Sequence, residues 1–294
     1  MSKRTRAIAF IFLIAAVASC FAVTASADTG PKPSVNITFK NLPAGECWGT
    51  LLSSRDQYGP YYAYVGTEES KVDFIENEAA WQAFVGFSDA DGYHFLQMTW
   101  DVGVTGEIGW TYYPPERFKI LLWFPESGTF AESGVCERYA FDTYYTVDLA
   151  GVVTEGGVVA VTAVKSYDYT NELLSLFARI VVTVAIELFI ALLFGFRARR
   201  EVLIVLITNA VTQIGLNVAL NLVAHYSGAL EAIIWYIMLE IVVFIAEAAV
   251  YCTVLRKASP KPRRAWYYAV YALVANAVSF AAGWWIAYLM PSIF

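Results

Sequence analysis

Histidine, cysteine and recognisable catalytic motifs are scarce in this sequence. His94 and His225 are the only histidines among the 294 residues, and they lie far apart. A zinc site therefore lacks its usual ligands, and a histidine-based triad would depend on His94 alone. The sequence also has no H-E-x-x-H, G-x-S-x-G, P-loop or dinucleotide glycine pattern. We expect a protein that is not an enzyme, with no catalytic residues, no metal site and no cofactor.

Basic residues are few in the segment from residue 28 to residue 170. This segment has 20 acidic and 8 basic residues, a net charge of −12, whereas the whole chain carries −6. Nucleic-acid binding needs clustered Lys and Arg, so nucleic acid is excluded as a partner of this segment. Cations, basic surfaces and neutral ligands stay open.

Apolar residues, by contrast, are abundant. They make up 58% of the chain, and the mean hydropathy is +0.50. The apolar residues are concentrated in the segment after residue 170, which is typical of an integral membrane protein.

The N-terminus has the pattern of a secretory signal peptide. Lys3, Arg4 and Arg6 precede the apolar stretch "AIAFIFLIAAVA", and Ala25–Ala27 supplies small residues for cleavage. We therefore predict a signal peptide over residues 1–27. Lipidation at Cys20, or retention of the segment as a membrane helix, are the alternatives.

Two of the four cysteines are expected to form a disulfide bond. Cys20 lies in the predicted signal and Cys252 in an apolar segment, whereas Cys47 and Cys136 both lie in the exported segment. An oxidising compartment favours pairing of the last two. The alternative is two free thiols buried in a sheet.

The segment 28–170 is predicted to be an extracytoplasmic all-β domain. In "SVNITFKNL" apolar and polar residues alternate, and further strand-like runs are separated by turn signals such as "DADG" and "TEGG". This spacing favours an immunoglobulin-like or transthyretin-like sandwich. One stretch, "DFIENEAAWQAF", predicts a short helix capped by Asp73.

Four membrane spans are predicted within 171–294, at about 173–196, 202–223, 229–255 and 266–290. Each exceeds the roughly 20 apolar residues that cross a bilayer as a helix. The loops 197–201 and 256–264 are rich in Lys and Arg, whereas "AHYSG" between the second and third spans has neither. The positive-inside rule therefore places the two basic loops in the cytoplasm, and residues 28–170 and the C-terminus outside the cell.

The predicted spans carry polar side chains at helical spacing, and these form the candidate site of the sequence. In hydrocarbon such groups must face other helices or water. They either bind a cation or relay protons, or they hydrogen-bond the helices together. The candidates are Glu187, Asn209, Gln213, Asn217, Glu240, Glu247 and Asn276.

Several stretches carry a family resemblance. "KPSVNITFKNLPAGECWGTLLS", "TYYPPERFKILLWFPESGTF", "ERYAFDTYYTVDL" and "IELFIALLFGFRARR" resemble an uncharacterised family of membrane proteins in Gram-positive bacteria. The likeness covers nearly the whole chain. It implies a bacterial cell membrane and assigns no functional residue.

Two functions agree with these features. The first is display of an acidic β-sandwich outside the cell for binding or sensing, without enzymatic activity. The alternative is a small proton- or cation-coupled transporter or channel that uses the intramembrane polar residues. The lipid bilayer is the expected partner, and a protein partner, a homo-oligomer and an extracellular ligand stay open.

Overall fold

The structure is a computed structural model that describes residues 31–289. The predicted signal peptide, its cleavage site and Cys20 lie outside the described residues. Residues 32–165 form the part that we call the β region, and four long helices form the helical bundle.

The β region contains thirteen strands. They are β1 (Ser34–Lys40), β2 (Trp48–Ser53), β3 (Gln57–Tyr58), β4 (Tyr61–Tyr62), β5 (His94–Phe95), β6 (Trp100–Asp101), β7 (Glu107–Trp110), β8 (Arg117–Phe124), β9 (Thr129–Ser133), β10 (Cys136–Glu137), β11 (Asp142–Asp148), β12 (Gly157–Val161) and β13 (Ala163–Lys165).

Two mixed sheets share one core. The first has the order β13-β11-β1-β7, and the second has the order β12-β9-β8-β2-β5, with β10 paired to β8 and β6 paired to β2. The pairs β1–β11 and β9–β12 are parallel. Val35, Ile37 and Phe39 of β1 point into the core, as their alternation predicts, and contact the second sheet. A β-rich region is thus confirmed, whereas the immunoglobulin-like or transthyretin-like assignment stays a prediction.

A short helix covers the outer face of the second sheet. Helix α1 (Glu78–Gly86) buries Trp81 and Phe84 against this sheet. Strand β2 is therefore buried on both faces, because the first sheet covers one and α1 covers the other. The predicted helix is confirmed, but its cap is wrong, since the Asn77 side chain accepts the Ala80 N–H at 3.0 Å. A single turn, α2 (Val102–Thr105), precedes β7.

The stretch "YHFLQMTWDV" forms two short strands instead of one long strand because Gln97 interrupts it. Gln97 has a left-handed backbone with φ 62°, and its side chain is buried. Its amide donates to the carbonyls of Tyr62 and Ser70, and its oxygen accepts from Trp81 Nε1 at 3.2 Å. A buried amide with these partners joins α1 and the neighbouring loops to the sheet.

The predicted disulfide is wrong. Cys47 and Cys136 are both buried free thiols. Cys47 precedes Trp48, which pairs with Trp123 at one end of β8, whereas Cys136 pairs with Phe118, nearer the other end. The strand rise makes this separation about 17 Å, and a disulfide needs Cα atoms within about 7 Å. Burial, and secondarily Asp101, raise the pKa of Cys47 to about 12, which keeps it a thiol.

Four helices long and apolar enough to cross a membrane follow the β region. They are α3 (Tyr169–Leu193), α4 (Arg199–Ser227), α5 (Ala229–Val250) and α6 (Ala265–Leu289). Helix α5 continues through a π turn, Tyr251–Leu255, and a last turn, Arg256–Ala258. Helices α3 and α5 each contact both α4 and α6. Many large apolar side chains of the bundle are exposed, Phe177, Phe189 and Val211 among them, which suits contact with lipid.

The β region contacts the bundle at the turn between α4 and α5. The Phe141 backbone N–H donates to the His225 carbonyl at 2.8 Å. The Tyr167 ring meets the His225 ring edge-on, with 5.1 Å between the centroids, and the Tyr167 hydroxyl is hydrogen-bonded to Glu172 of α3. These contacts tie the two parts of the chain together at one end of the bundle.

Candidate functional site

Four of the predicted polar residues come together inside the bundle, and we call them the carboxylate cluster. They are Glu187 of α3, Asn209 of α4, Glu247 of α5 and Asn276 of α6, so every helix supplies one. Glu187, Asn209 and Glu247 are each 0% exposed, and Asn276 is 6% exposed.

Glu247 is held by two neutral donors. The Thr212 hydroxyl donates to Oε1 at 2.6 Å, and the Asn276 amide donates to Oε2 at 2.7 Å. Both carboxylate oxygens are thus engaged, and helices α4, α5 and α6 are joined through this one side chain.

Glu187 is engaged at one oxygen only. The Ser279 hydroxyl donates to Oε1 at 3.0 Å, and Tyr271 donates to the Glu187 backbone carbonyl at 3.3 Å. Oε2 is buried and accepts no hydrogen bond. The Asn209 amide N–H group is a hydrogen-bonding neighbour of this carboxyl group.

The two amides are fixed with their oxygens unpaired. Asn209 Nδ2 donates to the Val205 carbonyl at 2.9 Å and to the Tyr251 hydroxyl at 3.0 Å. Asn276 Nδ2 donates to the Ala272 carbonyl at 3.0 Å as well as to Glu247. Rotating either amide would point its oxygen at a carbonyl oxygen, so these bonds set the orientation. Asn209 Oδ1 and Asn276 Oδ1 are buried without a donor.

A π turn adjoins the cluster. It begins at Tyr251, one turn after Glu247, and Tyr251 is fully buried. Such turns place an extra residue in a helix and are frequent at functional sites. Here the first residue of the turn, Tyr251, accepts a hydrogen bond from Asn209 Nδ2 through its hydroxyl.

The other three predicted residues lie outside the cluster. Asn217 donates to the Gln213 carbonyl at 2.9 Å and to its side-chain oxygen at 3.4 Å. Glu240 is half-buried and hydrogen-bonded to Tyr236. These groups connect locally and none of these bonds reaches Glu187.

Sequence reasoning missed two tyrosines of this site and one buried carboxylate at the start of α4. Tyr251 and Tyr271 carry hydroxyls inside apolar segments, which is the signal that could have identified them. Glu201 is buried and accepts from the backbone N–H groups of Arg197 and Ala198 and from the Ser259 hydroxyl. A glutamate three residues after a helix cap is a recognised N-terminal signature.

The two carboxyl groups of the cluster accept hydrogen bonds from neutral side chains. Arg179 of α3 donates to Asn221 of α4. Between residues 180 and 193, 202 and 255, and 266 and 289 the sequence has no Lys or Arg. Among the described residues, no group of three or more His, Cys, Asp or Glu could hold a metal ion. Ionised carboxylates in such surroundings are costly unless a proton or a cation compensates them.

The β region has a cavity of its own. It measures about 280 Å³ and is open to solvent. Its walls include Tyr64, Phe84, Phe87, Asp89 and Tyr93. The surrounding aromatic rings contact one another, and Phe87 lies 4.8 Å from the ring centroid of Phe130.

A buried lysine, Lys119, forms an ion pair with Asp89 in the wall of this cavity. Lys119 Nζ is hydrogen-bonded to Asp89 and contacts Glu132 at 2.8 Å and Asp91 at 2.7 Å. The Lys119 side chain is 5% exposed and the Asp89 side chain 0%. Burial alone would raise the pKa of Asp89, but its hydrogen bonds, chiefly with Glu132 and Lys119, lower this pKa to about 2.

We expect the β region to lose stability in acid. The pKa of Asp89 is lower in the folded state than its unfolded value of about 3.9, so its contribution is present above about pH 4 and lost as the pH falls toward 2. The loss is at most about 2 kcal/mol, because the pKa of the neighbouring Glu132 is raised, chiefly by burial, and this shift acts in the opposite direction. Unfolding midpoints measured between pH 5 and pH 2.5 test this, and an Asp89→Asn variant should lack the step. A wild-type midpoint that stays constant over this range would contradict it.

Comparison with protein-family models, curated protein sequences and solved structures gave no match, so the function of this chain is inferred from its own geometry.

Proposed function

We propose that this protein is a multi-pass membrane protein whose bundle binds a proton or small cation at the carboxylate cluster and carries it across the membrane. The observation that supports this is the burial of Glu187 and Glu247 among neutral donors only. If the cluster served only to hold the helices together, its polar atoms would be expected to pair with one another. Instead three acceptor oxygens have no donor.

The proposed orientation follows from charge. The segments 197–201 and 256–264 lie in the cytoplasm, and the β region and the C-terminus lie outside. The contact between Phe141 and His225 places the β region at the turn between α4 and α5, which has no Lys or Arg. The exported segment 28–170 would then present its acidic surface to the outside.

Ion flux into liposomes tests the proposal. Vesicles with purified protein should take up protons or a monovalent cation under an imposed gradient, and Glu247→Gln should reduce the rate at least tenfold. Glu231→Gln is the matched control, because it makes the same change at an exposed position of α5 and should leave the rate unchanged. Flux no faster than in protein-free vesicles, or full flux with Glu247→Gln, would contradict transport.

The second candidate function is display of a β-sandwich, immunoglobulin-like or transthyretin-like, for binding or sensing outside the cell. The observation that favours it is the cavity of about 280 Å³ in the β region, whose lining includes aromatic rings and Asp89, the partner of Lys119. An extracellular ligand or a protein partner, including a second copy of this chain, would be recognised there. Inactive liposomes, together with Glu247→Gln and Glu187→Gln variants that only lower the melting temperature, would favour this function.

A further inference from the structure

Three buried oxygens among the described residues of the bundle have no hydrogen-bond donor. They are Glu187 Oε2, Asn209 Oδ1 and Asn276 Oδ1, one from each of three helices. Native proteins leave few buried polar atoms unpaired, and each such atom needs a physical reason. Three acceptors in one hydrogen-bonded cluster call for one common reason.

The three oxygens belong to one connected cluster. Ser279, which binds Glu187, lies three residues after Asn276 on the same side of α6. Asn276 binds Glu247, and Glu247 also binds Thr212, which is three residues from Asn209 on α4. Asn209 in turn lies next to Glu187. The ring of contacts thus closes on the carboxylate of Glu187.

A proton alone does not satisfy this cluster. A proton on Glu187 Oε2 supplies one donor, which can pair with only one of the two amide oxygens. The other amide oxygen would stay buried and unpaired, at the cost of its full desolvation. A water molecule could donate to both amides, but it carries no charge, so it would need a proton on Glu187 as well, whereas a cation meets both requirements as one ligand.

A cation meets both requirements. Carboxylate and amide oxygens are the hard ligands that cations without d-electron preferences take in proteins. Calcium uses several carboxylates, whereas here both oxygens of Glu247 are occupied by Thr212 and Asn276. Glu187 is therefore the one carboxylate with an oxygen available as a ligand, and a single positive charge balances that one group.

We propose that Glu187 Oε2, Asn209 Oδ1 and Asn276 Oδ1 are ligands of one alkali-metal cation held between α3, α4 and α6. This inference rests on the proposed function in taking the carboxylate cluster as the ion site, and it names the ion class. Glu247 positions Asn276 and does not bind the cation itself.

The test is cation-dependent melting of the purified full chain in detergent. NaCl or KCl is titrated against N-methyl-D-glucamine chloride at constant ionic strength, and unfolding is followed by tryptophan fluorescence. Because a ligand that binds only the folded state stabilises it in proportion to the logarithm of its concentration, the melting temperature should rise by about 5 °C up to 300 mM of the bound cation. Titration calorimetry with the same salts gives a second measure that needs no variant.

Matched variants locate the site. Asn209→Leu and Glu187→Gln should raise the half-saturating salt concentration at least tenfold. Asn217→Leu, a buried amide two turns along the same helix, should keep the wild-type response. Calorimetric binding to the wild type decides the result if Asn209→Leu fails to fold.

Cation binding and transport are measured separately, so either one can fail alone. Melting that is insensitive to both salts, with proton flux intact in liposomes, overturns the cation and leaves a proton as the transported species. A salt response without any flux supports the cation site and overturns transport. An equal response in Asn209→Leu, Glu187→Gln and the wild type places the cation elsewhere and overturns the assignment.

Discussion

Replacing Lys119 with methionine should lower the free energy of unfolding of the β region by about 3–5 kcal/mol, because it leaves buried carboxylates without their cation. The Asp89 side chain is 0% exposed and that of Glu132 17% exposed. Lys119 lies on β8 two residues before Leu121, on the face that α1 covers. The loss should therefore also loosen α1 and the wall of the cavity.

Unfolding of the full chain in detergent, followed by the buried tryptophans, measures this effect. Arg117→Met is the matched control, since Arg117 lies on the same strand and pairs with Glu137 at the surface, where the side chains are 59% and 64% exposed. Exposed pairs contribute at most about 1 kcal/mol. Similar losses of unfolding free energy in the two variants would contradict the idea that burial strengthens the ion pairs of Lys119.

The second large effect is expected at Gly228, the turn between α4 and α5. Its backbone has φ 88° and ψ 168°, a region that essentially only glycine occupies. A Cβ atom there would lie 2.8 Å from Phe141 Cε1. Gly228→Ala combines backbone strain with overpacking, and we expect a loss of about 3 kcal/mol.

Gly195 supplies the control for Gly228. It also follows a membrane helix and has φ 85°, but its added Cβ would meet only Arg263 Nη2, at 3.7 Å. Gly195→Ala should cost about 1 kcal/mol, from strain alone. In a double-mutant cycle, Phe141→Ala should recover the steric part of the Gly228→Ala loss. Purely additive losses would show that the ring and the turn do not interact.

Local patterns made several elements predictable. The alternation in β1 and the long apolar runs of the bundle are local properties, because side-chain direction in a strand or helix repeats with a fixed period. Helix α1 was predicted for the same reason. Its cap was misplaced by four residues: Asp73 and Asn77 are both suitable caps, and the helix begins after Asn77.

Long-range pairing was not predictable. The parallel pairs β1–β11 and β9–β12 join strands distant in sequence. The register of β2 and of β10 against β8 separates Cys47 from Cys136. The presence of two cysteines in an exported segment does not reveal the distance between them. The break at Gln97 likewise depends on carbonyls of Tyr62 and Ser70, which only the folded chain brings near.

At the candidate site, the sequence indicates that polar side chains occur in four apolar helices and that residues 180–193, 202–255 and 266–289 contain no Lys or Arg. Packing of the helices brings Glu187, Asn209, Glu247 and Asn276 together, keeps Gln213, Asn217 and Glu240 outside, and leaves three oxygens without a donor among the described residues. Helical periodicity sets the relative directions of side chains within one helix, whereas the rotation of each helix against its neighbours is set by packing along its whole length.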